Sequence, residues 1–276
     1  MDEGLRDIIS AMRQIHGIDI SVYDENFLRK SIDRRWIETN TANFEEYVCY
    51  LEKDNREADA LRDSLHISFS QFFRDPVTFA ILEQRILPDI IASRRNGSEI
   101  RVWSAGCANG QEAYSIAILL SDLAYAADMK LRFRIFATDI SQEALTAGET
   151  GIYDESMILN VKTKHLNKYF TRQSRMYAII PELKQHVIFS AYDLLTLTTS
   201  NPPESIYGDY DLVLCSNVLI YYKHKVQQTI IEKLQKAMSP SGYLVTGETE
   251  TGLVQASTNL QMLTTSTAIF KNNKRR

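Results

Sequence analysis

The sequence predicts an α/β protein in which an N-terminal helical bundle precedes a doubly wound domain with a mostly parallel sheet and a small antiparallel β insert. Three observations carry this reading. Apolar residues between Leu5 and Leu65 recur at helical spacing, as in Phe27, Leu28, Ile32 and Trp36 and again in Phe44, Tyr47, Val48 and Leu51. Two strand-like runs, EIRVWSAG and LRFRIFATD, enclose a helical stretch that begins near Gln111, which is a βαβ unit. Further strand-like runs follow at VIFSA, DLVLCS and GYLVTGE, with a helix over Lys225–Met238 between the last two.

In chain order, the first segment reads as a bundle of about four helices. Asn43 is placed to cap the third, with Glu45 and Glu46 complementing the positive end of its dipole. HISFSQFFRDPVTF interrupts the pattern, and Asp75 before Pro76 is a cap and first-turn pair for a helix running to about Arg95. The domain boundary is therefore expected there, with a helical domain over 1–75 and the second domain over 76–276. KYFTR and MYAII flank the short polar turn QSR, so the β insert is expected at about 160–190.

Composition narrows the function classes. The chain has 276 residues, 44% hydrophobic and 24% charged, which is ordinary for a folded protein with a real core. A formal net charge of −4 disfavours nucleic acid as a partner on charge alone. Cys49, Cys107 and Cys215 are scattered, which matches neither a disulfide framework nor metal-ligand spacing, so no metal and a reducing, cytoplasmic setting are expected. The N-terminus lacks a basic region followed by an apolar stretch, and the apolar run SIAILLSDLAYAAD is broken by Ser121 and Asp122, so neither export nor membrane insertion is expected.

WSAGCANGQEAYS carries the chemistry. A strand ends at Gly106, the chain turns through Gly110, and the helix that follows bears Glu112. Glycines at such a turn let backbone approach a ligand at the carboxyl end of the sheet, where doubly wound folds bind nucleotides. IFATD places Asp139 at the end of the next strand, where a carboxylate can accept both hydroxyls of a ribose. A dinucleotide site needs a third glycine and an acidic residue about 20 positions on, and a phosphate loop needs a lysine. Here Asp139 is 33 positions after Gly106, and neither the third glycine nor the lysine is present, so a phosphate-free adenosine ligand such as S-adenosylmethionine fits better.

SQFFRDP, IRVWSAGCANGQEAYSIAI, ATDIS, AGETGIY, VIFSAYDLL and LVLCSNVLIYY together resemble the CheR-type chemoreceptor glutamate O-methyltransferases, in that family's order and spacing over nearly the whole chain. The resemblance implies an N-terminal helical domain and a Rossmann-like S-adenosylmethionine-dependent methyltransferase domain with an inserted β-subdomain. It also implies methyl transfer from S-adenosylmethionine to glutamate side chains of bacterial chemoreceptors, leaving S-adenosylhomocysteine. Carried over residue by residue, Glu112 holds the methionine amino end and Asp139 the ribose. Asp193 and Leu194 lie by the adenine, and Asn217 and Val218 complete the pocket wall. Ala105 and Gly106 form the turn, while Ser68 and Ser70 stand where the family tends to have Asn and Thr ahead of FFR. Arg74 reaches the methionine end and the incoming carboxylate, and Tyr221 faces the methyl-transfer site, so these two are the catalytic candidates.

Plainer roles compete with these. Asp139 can serve as a helix cap before Ser141, Glu112 as a first-turn acid complementing the dipole, Asn217 as a turn residue, and Arg74 as a surface partner of Asp75. In the helical domain Arg29, Lys30, Arg34 and Arg35 share one helix opposed only by Asp33, which is a solvated basic face or, as the resemblance implies, a surface for acidic receptor methylation helices. Some relatives bind a receptor's C-terminal pentapeptide through a longer, glycine-containing loop of the insert. Gln173–Arg175 is short and has no glycine, so no such tether is expected, and a monomer is expected. Two departures stand out: Gln111 replaces a usual Glu and Ser216 a usual Arg, suggesting an ion pair of the relatives lost here from both sides. The alternatives are a catalytically weak S-adenosylmethionine- or S-adenosylhomocysteine-binding protein that acts through protein contacts, and a methyltransferase for another carboxylate.

Overall fold

The computed structural model describes residues 3–94, 98–205, 207–265 and 267–272. They form two compact units, Met1–Ile67 with Leu219–Gln227, and Ser68–Val218 with Gln228–Arg276.

The first unit contains helices α1 (Glu3–Gln14), α2 (Glu25–Thr39), α3 (Phe44–Lys53) and α4 (Asn55–Ser64). Their starts follow from the caps. Asp24 accepts from the N–H groups of Asn26 and Phe27, and Asn43 accepts from Glu46 as its sequence position predicts. Leu5, Ile8, Met12, Leu28, Ile32, Tyr47, Leu51 and Leu61 form the core at the helical period. Leu219–Gln227 joins this unit from far along the chain. Tyr222 stacks on Tyr23 at 5.2 Å, Tyr221 lies 4.8 Å from Phe27 between ring centroids, and the Lys223 N–H donates to the Val22 carbonyl.

Arg35 departs from the basic-face expectation. Its guanidinium donates from Nε to Glu57 Oε1 at 3.0 Å and from Nη2 to Glu57 Oε2 at 2.5 Å, and it also pairs with Glu38. Glu57 is 3% exposed and further accepts from the Tyr47 hydroxyl at 2.9 Å. A bidentate pair to a buried carboxylate holds Arg35 inside the unit, so it is no part of a free surface patch. Arg29, Lys30 and Arg34 are exposed.

The second unit opens with α5 (Pro76–Ile81), capped by Asp75, which accepts from Val77 and Thr78. A π-helical turn over Leu82–Ile86 carries it into α6 (Leu87–Ser93). Pro88 accounts for this. It has no N–H to bond four residues back and its ring would strike that carbonyl, and the widened turn, with Leu87 N–H bonded to Leu82 O, absorbs the conflict. The expected end at Arg95 lies outside the described residues.

Strand β1 (Ile100–Ala105) leads into α7 (Gln111–Ala126), then β2 (Phe133–Asp139) and α8 (Gln142–Thr150). The small sheet follows, with β3 (Ile152–Asp154), helix α9 (Thr163–Tyr169), β4 (Phe170–Gln173) and β5 (Met176–Ile179) in the order β3-β5-β4, all antiparallel. After α10 (Pro181–Lys184) come β6 (Val187–Ala191), β7 (Tyr210–Cys215), α11 (His224–Ala237), β8 (Met238–Thr246), α12 (Thr251–Ser257), β9 (Gln261–Met262) and β10 (Ile269–Lys271). The main sheet has the order β6-β2-β1-β7-β8-β10-β9, parallel from β6 to β8 and antiparallel beyond. This is the Rossmann-like α/β arrangement, with β1 and β7 adjacent at its centre. Strand β3 was not anticipated, because Ile152–Asp154 is too short to show an alternating pattern. Among the described residues no helix is long and apolar enough to cross a membrane.

Candidate active site

A cavity of about 310 Å³ opens at the carboxyl ends of β1, β7 and β8. The sheet topology dictates this place, because the parallel strands deliver their following loops to one edge.

Gly106 lines it, and Gly110 ends the loop that follows as the N-cap of α7. Gly106 has φ +74°, and a Cβ there would lie 2.5 Å from Val218 Cγ2. Gly110 has φ +83°, and its Cβ would meet the Phe189 ring at 2.7 Å. A side chain is therefore excluded at both positions by conformation and by space. The loop between them is pinned to the end of β2. The N–H groups of Gly106 and Cys107 donate to the Thr138 carbonyl at 2.8 and 2.9 Å, and the Ala108 N–H donates to Asp139 Oδ2 at 2.8 Å. Asp139 Oδ1 accepts from the Ser141 N–H at 2.9 Å, while Ser141 itself caps α8. Each Asp139 oxygen thus keeps a further lone pair for a hydroxyl donor. Asp139 is half-buried and does not line the cavity.

Glu112, in the first turn of α7, lines the cavity. Its Oε1 accepts from the Ser104 hydroxyl at 2.7 Å. Burial pushes its carboxyl above the ordinary carboxylate range, against hydrogen bonds from Ser104 and Ser216 and the positive charge of Arg74, which lower it. Ser216 lines the same cavity. Gln111 is 1% exposed and its Oε1 has no hydrogen-bond partner. Arg74 is the cation among the lining residues, with its guanidinium carbon 5.5 Å from the Phe69 ring centroid.

Asn217 follows β7 with φ +61°, and its N–H donates to Glu250 Oε2 at 3.1 Å. The same oxygen accepts from Gly247 N–H at 2.6 Å, and Glu250 is 3% exposed. One buried carboxylate therefore ties the loop after β7 to the loop after β8. Of the residues expected from sequence, Ser70, Arg74, Gly106, Glu112 and Asn217 line the cavity. Ala105 is buried at the end of β1, Val218 packs over Gly106, and Ser68 is half-buried. Asp193 is exposed and accepts from the Leu195 N–H at 2.8 Å, beside buried Leu194. Tyr221 belongs to the helical unit. Sequence reasoning missed Thr78, Phe79, Thr246, Gly247 and Glu248 in the lining and Glu250 behind it. The only signal available was a glycine after an apolar strand in VTGETE, the same grammar that marks Gly106.

The donor set fits S-adenosylmethionine. A cavity carboxylate raised by burial is stabilised by an ammonium group, and Asp139 retains acceptor capacity for hydroxyls. Among the described residues no lysine lines the cavity to meet a phosphate. Fold and site together define an S-adenosylmethionine-dependent methyltransferase.

Comparison with known proteins places it more closely. Residues 68–269 match the family described as CheR methyltransferase, SAM binding domain, and residues 3–66 match CheR methyltransferase, all-alpha domain. The chain belongs to the CheR methyltransferase family. It is 33% identical over 239 residues to a chemotaxis protein methyltransferase of Borreliella burgdorferi, covering 84% of this chain and 80% of that one. It is 29% identical over 255 residues to the chemotaxis protein methyltransferase of Escherichia coli, covering 90% and 84%. A further relative, an uncharacterized 104.1 kDa protein of Rhodobacter capsulatus, is 31% identical over 265 residues, and the match spans 96% of this chain but only 27% of that longer one.

Proposed function

We propose that this chain methylates glutamate side-chain carboxylates of bacterial chemoreceptors. The observation that carries the reading is the pairing, in one cavity lining, of the carboxylate of Glu112 with the guanidinium of Arg74. The first suits the cofactor's ammonium end, and the second suits an anionic substrate.

Bound S-adenosylmethionine supplies a methyl group on a sulfonium sulfur, an electrophile that a carboxylate oxygen can take without a base. A glutamate with an ordinary pKa near 4.3 is already ionised at neutral pH, so the protein need not remove a proton. Arg74 receives the substrate carboxylate and orients one of its oxygens. Glu112 fixes the amino end of the cofactor, Asp139 the ribose hydroxyls, Asp193 and Leu194 the adenine. Glu250 holds the N–H of Asn217 and so sets the wall opposite. Positioning of this kind can contribute as much as about 7 to 11 kcal/mol in a closed site. Arg29, Lys30 and Arg34, the exposed members of the basic face, serve to attract the acidic receptor helix, without a pentapeptide tether. The protein acts in the cytoplasm as a monomer.

The test is transfer of labelled methyl from S-adenosylmethionine to receptor cytoplasmic fragments. Label in the fragment, lost when its methylatable glutamates are changed to alanine, is the expected result. Cofactor binding with no transfer to any receptor fragment overturns the reading in favour of a binding protein.

A further inference from the structure

The segment ahead of α5 fixes the root of Arg74 in the fold. Phe72 is fully buried and meets Tyr153 and Phe170 edge-on, with ring centroids 4.9 and 5.5 Å away. Phe73 has φ +49°, an outlying conformation for a bulky residue, and its N–H donates to the hydroxyl of buried Ser115 at 3.1 Å. Backbone strain of this kind persists where the surrounding packing over-determines it. With both rings committed to the core, the next residue, Arg74, is exposed and lines the cavity.

The tip of the side chain is held differently. Among the described residues no carboxylate lies within ion-pair distance of the Arg74 guanidinium, although Glu112 and Glu248 share the cavity lining with it. Asp75, its neighbour in sequence, is spent on α5, where it accepts from the N–H groups of Val77 and Thr78 and from the Thr78 hydroxyl. What the guanidinium does meet is the ring of Phe69, with its carbon 5.5 Å from the centroid. Phe69 is 60% exposed and lines the same cavity.

An arginine loses much rotamer freedom when a substrate fixes it, so one already held in place binds that substrate at lower cost. An aromatic face suits the task. It attracts a guanidinium, more strongly once water is removed, yet it neutralises none of the charge. An acidic partner would hold Arg74 too, but it would compete with the substrate's own carboxylate. We propose that Phe69 is a positioning residue for methyl transfer: its ring holds the Arg74 guanidinium preset for the incoming carboxylate and shields the resulting ion pair from water. The inference rests on the proposed role of Arg74 in receiving that carboxylate. It adds a residue that touches neither the methyl group nor the sulfur and acts through Arg74.

The test compares Phe69→Leu, which keeps an apolar side chain but removes the ring face, with Phe69→Tyr, which keeps the face. At so exposed a position neither change should move the thermal midpoint. Phe69→Leu should lower kcat/KM for receptor fragments by about fivefold or more, chiefly through a higher KM, with unchanged affinity for S-adenosylhomocysteine. Phe69→Tyr should recover most of that loss. In the free full chain the Arg74 Hε resonance, identified by its disappearance in Arg74→Lys, should be shifted upfield by the ring current, move back in Phe69→Leu and stay in Phe69→Tyr. Parent-like kcat/KM in Phe69→Leu, no recovery in Phe69→Tyr, an equal loss of S-adenosylhomocysteine affinity, or an Hε resonance indifferent to the ring would overturn the proposal. If the parent chain transfers no methyl to any fragment, the glutamate reading has failed instead, and the Hε comparison still decides whether Phe69 holds Arg74.

Discussion

Replacing Glu112 by Gln should move stability and cofactor affinity in opposite directions. In the ligand-free chain the carboxyl is held above its ordinary 4.5, chiefly by burial. A carboxyl raised in the folded state favours folding below its unfolded pKa, and that contribution is lost as pH rises through the folded value. At neutral pH the ionised group therefore costs stability, and the isosteric amide removes the cost while still accepting from Ser104. The variant should unfold at an equal or higher temperature than the parent. Binding behaves oppositely. A charge-assisted hydrogen bond to an ammonium group contributes about 1.5 to 3 kcal/mol, so affinity for S-adenosylhomocysteine should fall roughly 10- to 150-fold. The sign carries into pH. As pH falls through the raised pKa, Glu112 takes up a proton and the parent should lose affinity, while the Gln variant stays flat over that range. Calorimetric titration with S-adenosylhomocysteine across pH, with thermal denaturation of the free protein, measures both. A variant that is destabilised at neutral pH yet binds with unchanged affinity would refute the assignment of Glu112.

Other outcomes follow from single contacts. Asp139→Ala should weaken S-adenosylhomocysteine by more than about tenfold by calorimetry, since the ribose loses a charged acceptor and the Ala108 N–H its partner. Arg35→Ala should lower stability by about 3 to 5 kcal/mol in urea denaturation, because it strands the carboxylate of Glu57, whereas Arg34→Ala at an exposed site should change it by less than about 0.5 kcal/mol. Gln111→Glu puts a charge where the native side-chain oxygen already lacks a partner, and a loss of at least about 2 kcal/mol is expected by the same method. An unchanged midpoint in either destabilising variant would contradict the burial argument behind it.

What the sequence made legible is local chemistry. Asn43 and Asp75 announce helix starts because a cap acts within three residues, and Gly106 announces a ligand turn because its φ of +74° admits little else. Asp139 stands at the end of a strand and Glu112 in the first turn of the helix after one, and periodicity alone locates both elements. The hidden features are those made across long separations. Arg35 reads as one of a row of surface cations until its pairing with Glu57, 22 residues on, is seen. Glu250 lies 33 residues from Asn217, whose N–H it accepts, and no motif joins them. His165 reads as a histidine without context, and only the fold brings it beside Asp122 and Phe73. The π-helical turn before Pro88 was legible in principle, since a proline inside a helical run must be accommodated somehow.

The central claim is that a carboxylate oxygen is the acceptor and that Arg74 presents it. Receptor fragments labelled with tritiated methyl should release volatile methanol in mild base, the behaviour of an ester. Arg74→Ala should lower that release by at least about tenfold while the protein still binds S-adenosylhomocysteine, as removal of a substrate-orienting cation requires. Label that stays on the fragment in base, or full activity in the Arg74→Ala chain, would contradict the account.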